Sequence, residues 1–273
     1  MESLRFAVIG AGKIGSAVAL ALDGRVGKVI ATRRNLSKIS HLKDKNILVT
    51  NDNELACRES DVVIFTLKPP QVIPEMRKLR EHLANKLVIS LAAAISLDML
   101  KEAAPESYLV RAMSNVAILA KAAYTVYCPH PDVPDWVPQV ASEVFGLFGW
   151  SRMVEEAYLD ALTALSGSGP AYLYTVMEAM VYGGLMVGLP RELSTEAVAY
   201  SMIGASKMVL ESGMHLAELR DMVVTPGGVT IEGIFQLEEN RLRTALMKAI
   251  VESTEKAISI AERARREANR AER

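Results

Sequence analysis

Three short stretches of this 273-residue chain hold residues whose types and spacing could do chemistry. The first is Gly10-Ala11-Gly12-Lys13-Ile14-Gly15, a G-x-G-x-x-G run that follows an apolar stretch at the start of the chain and opens a helical pattern. In that context the first glycine permits a tight turn, the second lets backbone approach a pyrophosphate, and the third lets helix and strand pack closely. The helix N-terminus then favours the negative charge. The second stretch, Thr32-Arg33-Arg34, stands where an NAD-binding chain has an Asp or Glu for the ribose 2′-hydroxyl. Two guanidiniums and a hydroxyl suit a 2′-phosphate, so NADPH is the expected cofactor and NADH the second choice. The third is Thr225-Pro226-Gly227-Gly228-Val229-Thr230. Proline and two glycines shape a turn there, and the free N–H groups of the helix start that follows can hold a carboxylate without an arginine. The plainer reading is that Thr225 or Thr230 caps that helix.

Other reactive groups are few. The histidines are His41, His82, His130 and His215, none of them in the glycine-bounded segments, and loop or surface positions are expected for all four. A hydroxy-acid dehydrogenase needs a general acid or base for the hydroxyl proton. Lys207 is the only candidate for that task, and a solvated helix face is the expectation for it. Reduction of a protonated cyclic imine asks less, because the imine is already electrophilic and needs chiefly to be held in place. Cys57 and Cys128 have no metal-ligand spacing and make no disulfide framework, so no metal is expected, and buried thiols in a reducing cytoplasm are.

The elements that must position these residues follow from hydrophobic periodicity. The first half alternates strand-like segments (Arg5–Ile9, 28–31, Ile47–Thr50, 62–67, Leu87–Ser90, 108–111, 124–127, 151–154) with helix-like ones (14–22, 53–59, 73–83, Leu97–Ala103, 137–148). That rhythm predicts an α/β Rossmann domain with a doubly wound, mostly parallel sheet. After about residue 155 only helical patterns remain, broken at 166–170, 188–190, 212–213 and 225–228, so an all-α C-terminal domain is expected. The boundaries are 1–155 for dinucleotide binding and 156–273 for substrate binding and dimerisation. Residues 171–188 carry one charge, Glu178, and predict a helix buried on most sides in a core or a subunit interface rather than a membrane span. The tail 262–273 predicts a solvated helix end or frayed segment. Lys plus Arg is 31 against 32 for Asp plus Glu, and aromatics are 5 % of the chain, so neither nucleic acid nor a membrane surface is expected as a partner.

Two stretches carry a family resemblance: Leu165-Ser166-Gly167-Ser168-Gly169-Pro170-Ala171-Tyr172, and residues 219–233 around Thr225-Pro226-Gly227-Gly228-Val229-Thr230. Lys68-Pro69 and Leu91-Ala92-Ala93, each after a strand, add to it. The sequence resembles pyrroline-5-carboxylate reductases over nearly its whole length. The resemblance implies reduction of the cyclic imine 1-pyrroline-5-carboxylate to L-proline in proline biosynthesis. It implies that Gly10–Gly15, Thr32, Arg33, Arg34 and Asn53 hold the adenosine end of the cofactor. Thr66, Leu67, Lys68, Pro69, Leu91, Ala92 and Ala93 would line the nicotinamide half. Glu156 would sit near the substrate, which Val229 and Thr230 would contact. The turn chemistry itself leads to the expectation that Thr225, Gly227 and Gly228 shape that binding site, with Thr230 catalytic through a hydrogen bond to the ring nitrogen. A homodimer through the C-terminal helices is implied, with a larger ring such as a pentamer of dimers beyond it. The chain departs from the family in having Lys13-Ile14-Gly15 for Asn-Met-Ala, Ala94 for a usual glycine, Ser114-Asn115-Val116-Ala117 for a Pro-Asn-Thr-Pro-like stretch, Met222 for a frequent Asn, and Val229 for Ala or Thr. Two other readings stay open on the sequence alone: a related oxidoreductase acting on a β-hydroxy acid or another cyclic imine, and a non-catalytic dinucleotide sensor.

Overall fold

The computed structural model describes residues 1–270, the side chains of 267–270 excepted. Strand β1 (Arg5–Ile9) and helix α1 (Lys13–Leu22) meet at the glycine run, followed by β2 (Lys28–Thr32), β3 (Ile47–Thr50), α2 (Asn53–Arg58) and β4 (Val62–Phe65). Helices α3 (Pro69–Lys78) and α4 (Arg80–Leu83) lead to β5 (Leu87–Ser90), and α5 (Leu97–Ala103) leads to β6 (Tyr108–Met113). Strand β7 (Ala123–Pro129), helix α6 (Trp136–Gly146) and β8 (Gly149–Met153) complete one sheet in the order β3-β2-β1-β4-β5-β6-β7-β8. The α/β Rossmann architecture expected from the sequence is present.

Neighbouring strands are parallel except β6 and β7. Only a 3₁₀ turn, Val116–Ala120, joins that pair, whereas a parallel crossover needs roughly a dozen residues or more. Alternation along β1 explains the two core layers. Phe6 and Val8 pack with Val18 and Leu22 of α1 and Phe145 of α6, while Ala7 and Ile9 pack with Val72 and Met76 of α3 and Leu100 of α5. The chain winds outward from β1 in one direction to β3 and in the other through β4, so the strand order reverses at the carboxyl ends of β1 and β4, where a doubly wound sheet takes its ligand.

Three local expectations change. The apolar run 62–67 ends as a strand at Phe65, because Lys68 is held extended (ψ 145°) before two prolines that start α3. The helix expected over 73–83 begins earlier, at Pro69, and divides at Leu79 into α3 and α4. The break expected at 166–170 is absent. Helix α7 (Leu159–Leu162) runs into a π-helical turn, Thr163–Gly167, and then into α8 (Gly169–Met186). Pro170 lies in the first turn of α8, where its missing N–H costs nothing. The Thr163 and Ser166 hydroxyls donate to the carbonyls of Leu159 and Leu162 at 2.7 and 2.8 Å.

The chain falls into two compact units, one holding Met1–Pro170 with the end of α12 (Leu242–Arg270) from Glu252 onward, the other Ala171–Val251. In the first unit Ala257 is buried and Ala264 packs on the core layer that contains Phe65 and Leu100. The end of α12 is therefore not wholly solvated, and the last expected tail residues, 271–273, lie outside the described residues. The second unit holds α9 (Arg191–Ser212), α10 (Leu216–Asp221) and α11 (Val229–Glu239) besides most of α8. A Cβ at Gly184 of α8 would come within 2.5 Å of Ser194 Oγ on α9, so the glycine permits that crossing. His215 closes a capping box with Glu218 at the start of α10. Only Val181, Ser194 and Val198 of this unit are buried, while Met186, Leu210 and Tyr200 are 88, 79 and 68 % exposed.

Candidate active site

The glycine run turns at the carboxyl end of β1. Gly10 has φ +96°, and a Cβ there would lie 2.5 Å from Leu67 Cδ2. A Cβ on Gly15 would lie 2.7 Å from Gly10 O, so this glycine sets the closeness of α1 to the loop. Gly12 differs: a Cβ there would meet nothing nearer than Gly10 O at 3.8 Å. The protein itself does not require that glycine, and the space beside it is free for a ligand. Gly12 also ends α1 without a side-chain cap, which leaves the helix's first N–H groups for an anion.

A cleft of about 780 Å³ opens beside this loop. Of the residues expected at the adenosine and phosphate end, Gly10, Gly12, Thr32, Arg33, Arg34 and Asn53 line it, together with Thr66, Leu67 and Lys68. Thr32 is buried, and its Oγ1 accepts the Gly10 N–H at 3.3 Å. Arg33 Nη1 donates to the Ala11 carbonyl at 2.9 Å and so ties the β2 end to the glycine loop. Arg34 is exposed and forms no ion pair among the described residues. Asn53 Nδ2 donates to Glu75 Oε1 at 2.8 Å. Ala11, Lys13 and Gly15 do not line the cleft. Asn35, Lys38 and Asn51 do, and sequence reasoning missed them, although Asn35 and Lys38 continue the polar and basic run after Arg34. The uncovered loop amides and the cations of Arg33, Arg34, Lys38 and Lys68 fit a phosphorylated dinucleotide.

A second cleft, of about 310 Å³, shares Thr66 and Leu67 with the first. Ile14, Pro69, Leu91, Ala92 and Ala93, all expected there or at the adjoining turn, line it. Met113, Ser114, Thr163, Gly167 and Ser168 complete it. Their placement was not legible from the sequence, because the 166–170 stretch reads as a break and its π turn is a product of packing. Thr66 Oγ1 donates to Gly10 O at 2.9 Å, which joins this cleft to the glycine loop. None of the residues lining it carries an ionisable side chain.

Glu156 lines neither cleft; its Oε1 accepts from Leu97 N at 2.7 Å and from Arg111 Nη1 at 3.0 Å. Beside it, burial pushes the Cys128 thiol up, and the Glu156 carboxylate adds to the shift. In the second unit, Gly227 has φ +67° and Gly228 is the N-cap of α11, with its N–H donating to Thr225 O at 3.0 Å. No side chain caps α11. The capping expectation for Thr225 and Thr230 therefore fails, because a glycine occupies the cap. Val229 and Thr230 are the first two residues of the helix, and Val229 is 90 % exposed. Among the described residues no group of three His, Cys, Asp or Glu side chains could hold a metal, and no helix is long and apolar enough to cross a membrane.

A family model described as pyrroline-5-carboxylate reductase dimerisation matches residues 156–260, and one described as NADP oxidoreductase, coenzyme F420-dependent, matches residues 5–94. The chain is 37 % identical to pyrroline-5-carboxylate reductase of Methanosarcina acetivorans over 94 % of its own length and 98 % of the relative's. It is 35 % identical to the Glycine max enzyme of the same name, covering 94 and 96 % of the two chains. Among solved structures, Plasmodium falciparum pyrroline carboxylate reductase with NADP bound is similar with a TM-score of 0.88 and 27 % identity, covering 96 % of this chain and 99 % of that one.

Proposed function

The chain belongs to the pyrroline-5-carboxylate reductase family, and from that premise we propose that it reduces 1-pyrroline-5-carboxylate to L-proline with NADPH, as a cytoplasmic enzyme of proline biosynthesis. The observation that carries the reading is the second cleft, joined to the glycine loop through Thr66, whose lining holds no ionisable group. A hydroxy-acid dehydrogenase must move a hydroxyl proton and needs an acid or base for it. A protonated cyclic imine needs only to be positioned.

The nicotinamide dinucleotide, when bound, supplies the hydride. Gly12 and the first N–H groups of α1 hold its pyrophosphate, Arg34 and Thr32 read its 2′-phosphate, and Asn53 supports the adenosine. Thr66, Leu67, Lys68, Pro69 and Leu91-Ala92-Ala93 line the nicotinamide half. Substrate binding is assigned to the uncapped start of α11. The turn of Thr225, Gly227 and Gly228 presents the N–H groups of Val229 and Thr230 to the substrate carboxylate. The Thr230 hydroxyl, in the first turn of a helix without a side-chain cap, accepts a hydrogen bond from the protonated ring nitrogen and keeps that proton in place. The functional division is 1–155 for the dinucleotide and 156–273 for substrate and assembly. The second unit has too little buried surface to stand alone, and covering its apolar helices with those of a second copy makes a homodimer. A pentamer of dimers is the larger assembly consistent with the family.

The test is NADPH oxidation in the presence of pyrroline-5-carboxylate, six-membered piperideine carboxylates and β-keto acids. Turnover of the five-membered imine alone, or best, is expected; a preference for a β-keto acid would overturn the reading. Thr230→Ala and Thr230→Val should lower turnover per folded enzyme ten-fold or more, about 1.4 kcal/mol in the barrier. Normal turnover in both would remove Thr230 from the reaction.

A further inference from the structure

One buried cation reaches three parts of the chain. Arg111 on β6 has a side chain 6 % exposed, and its Nη1 and Nη2 meet Glu156 Oε1 at 3.0 Å and Asp160 Oδ1 at 2.5 Å. The same Glu156 oxygen accepts the N–H of Leu97, the first residue of α5, at 2.7 Å. Each of these three segments leads into a wall of the second cleft. Ala92 and Ala93 precede α5 through Ala94, a non-glycine residue at φ +67°. Met113 follows Arg111 as the last residue of the same strand, and Ser114 comes directly after it. Thr163, Gly167 and Ser168 begin one turn after Asp160. The last two walls also touch directly: Asn115 Nδ2 donates to Ser166 O at 2.9 Å.

Stability is a poor account of such a cluster. Only the guanidinium is buried, while the Glu156 and Asp160 side chains are 31 and 27 % exposed, and a buried charge paired in this way often does no better than apolar residues of the same volume. What the cluster supplies is geometry, because a planar guanidinium holds two carboxylates at fixed angles as a lysine ammonium does not. We infer that Arg111, Glu156 and Asp160 are positioning residues that hold the three walls of the nicotinamide-side cleft in register, and that Glu156 acts through Arg111 and Leu97 and not on the substrate. The inference rests on the cofactor reading above.

Amide hydrogen exchange on the full chain, with and without NADPH, tests it without any substrate. The variants are Arg111→Lys, Glu156→Ala, Glu156→Gln and Asp160→Asn, the last at a side chain 27 % exposed that the fold should tolerate. Exchange is expected to quicken ten-fold or more in residues 91–97, 113–117 and 163–168 together, while β1 and β4 keep their protection. Glu156→Gln keeps an acceptor for Leu97 N–H and should disturb 91–97 less than Glu156→Ala. In the imine assay kcat should fall ten-fold or more, with the Kd for NADPH within three-fold, since the larger cleft is untouched. Quickening confined to β6, or spread evenly over the chain with a lowered melting temperature and unchanged kcat per folded enzyme, would overturn the inference. An inactive wild-type enzyme would strike the proposed reaction instead, and the exchange result would still decide the positioning role.

Discussion

At the scale of single residues, the two arginines after β2 have separate tasks. Arg33 is bound to the glycine-loop carbonyl of Ala11, whereas Arg34 is exposed. Arg34→Ala should therefore weaken NADPH binding ten-fold or more and leave NADH within about two-fold, since one charge-assisted contact to phosphate is worth roughly 1.5–3 kcal/mol. Titration of both cofactors by fluorescence decides this, and equal losses would show that Arg34 does not read the 2′-phosphate. Ala94 holds a left-handed conformation at φ +67°, a region that favours glycine. That conformation costs an L-residue roughly 1–2 kcal/mol, offset in part by the greater freedom of glycine in the unfolded chain. Ala94→Gly is expected to raise stability by about 0.5–1 kcal/mol in a urea titration. A loss would mean that the buried methyl packs too well to be spared.

Among the elements, α2 shows how a buried thiol and a lysine share one helix end. Lys86 Nζ donates to the carbonyls of Cys57, Arg58 and Ser60 at 2.5, 3.3 and 2.6 Å, and so supplies a cation at the negative end of the helix. Burial pushes the Cys57 thiol from 9.0 up to about 12. The folded chain thus keeps this proton through a range in which the unfolded chain releases it. The unfolded state binds fewer protons there, so the contribution is fully present below pH 9.0 and is lost as pH rises toward 12. Cys57→Ala should lower stability at neutral pH and flatten its decline above pH 9.0, by up to about 1.4 kcal/mol per pH unit. Parallel pH profiles for the two proteins, from denaturant titrations between about pH 8 and 10.5, would rule out Cys57 as a source of that decline.

For the whole molecule, the contrast between the two compact units is the main physical fact. The sheet unit has two filled core layers, while the helical unit of residues 171–251 buries only Val181, Ser194 and Val198. The sequence alone allows the helix at 171–188 either a core or an interface. With Leu173, Tyr174, Met180 and Met186 exposed, the core of the protomer is excluded. Light scattering at micromolar concentration should give a dimer or a multiple of it. A charge on that surface, Tyr174→Glu, should shift the mass toward monomer and lower the melting temperature together, because the exposed apolar side chains then lose their cover. A monomeric wild-type protein would overturn the assembly.

Periodicity and local chemistry by themselves determined much of this protein. The βαβ rhythm, the glycine turn at the end of β1 and the basic pair after β2 depend on residues close in sequence, and the folded chain has them in place. The continuous apolar run at 62–67 was enough to predict a strand buried on both faces, and Val62–Phe65 is buried throughout, because a covered parallel sheet has no solvent face. What the tertiary structure decided depends on residues far apart in the chain. The antiparallel turn of β7 follows from the length of a connection, and the π turn at Thr163–Gly167 is tied to the residues after β6 by the Asn115 bond to Ser166 O. Glu156 could be marked as important from sequence, yet its partners, Arg111 and Leu97, lie 45 and 59 residues away. Ion pairs between such distant segments leave no periodic trace in a single sequence, and only the folded sheet brings them together.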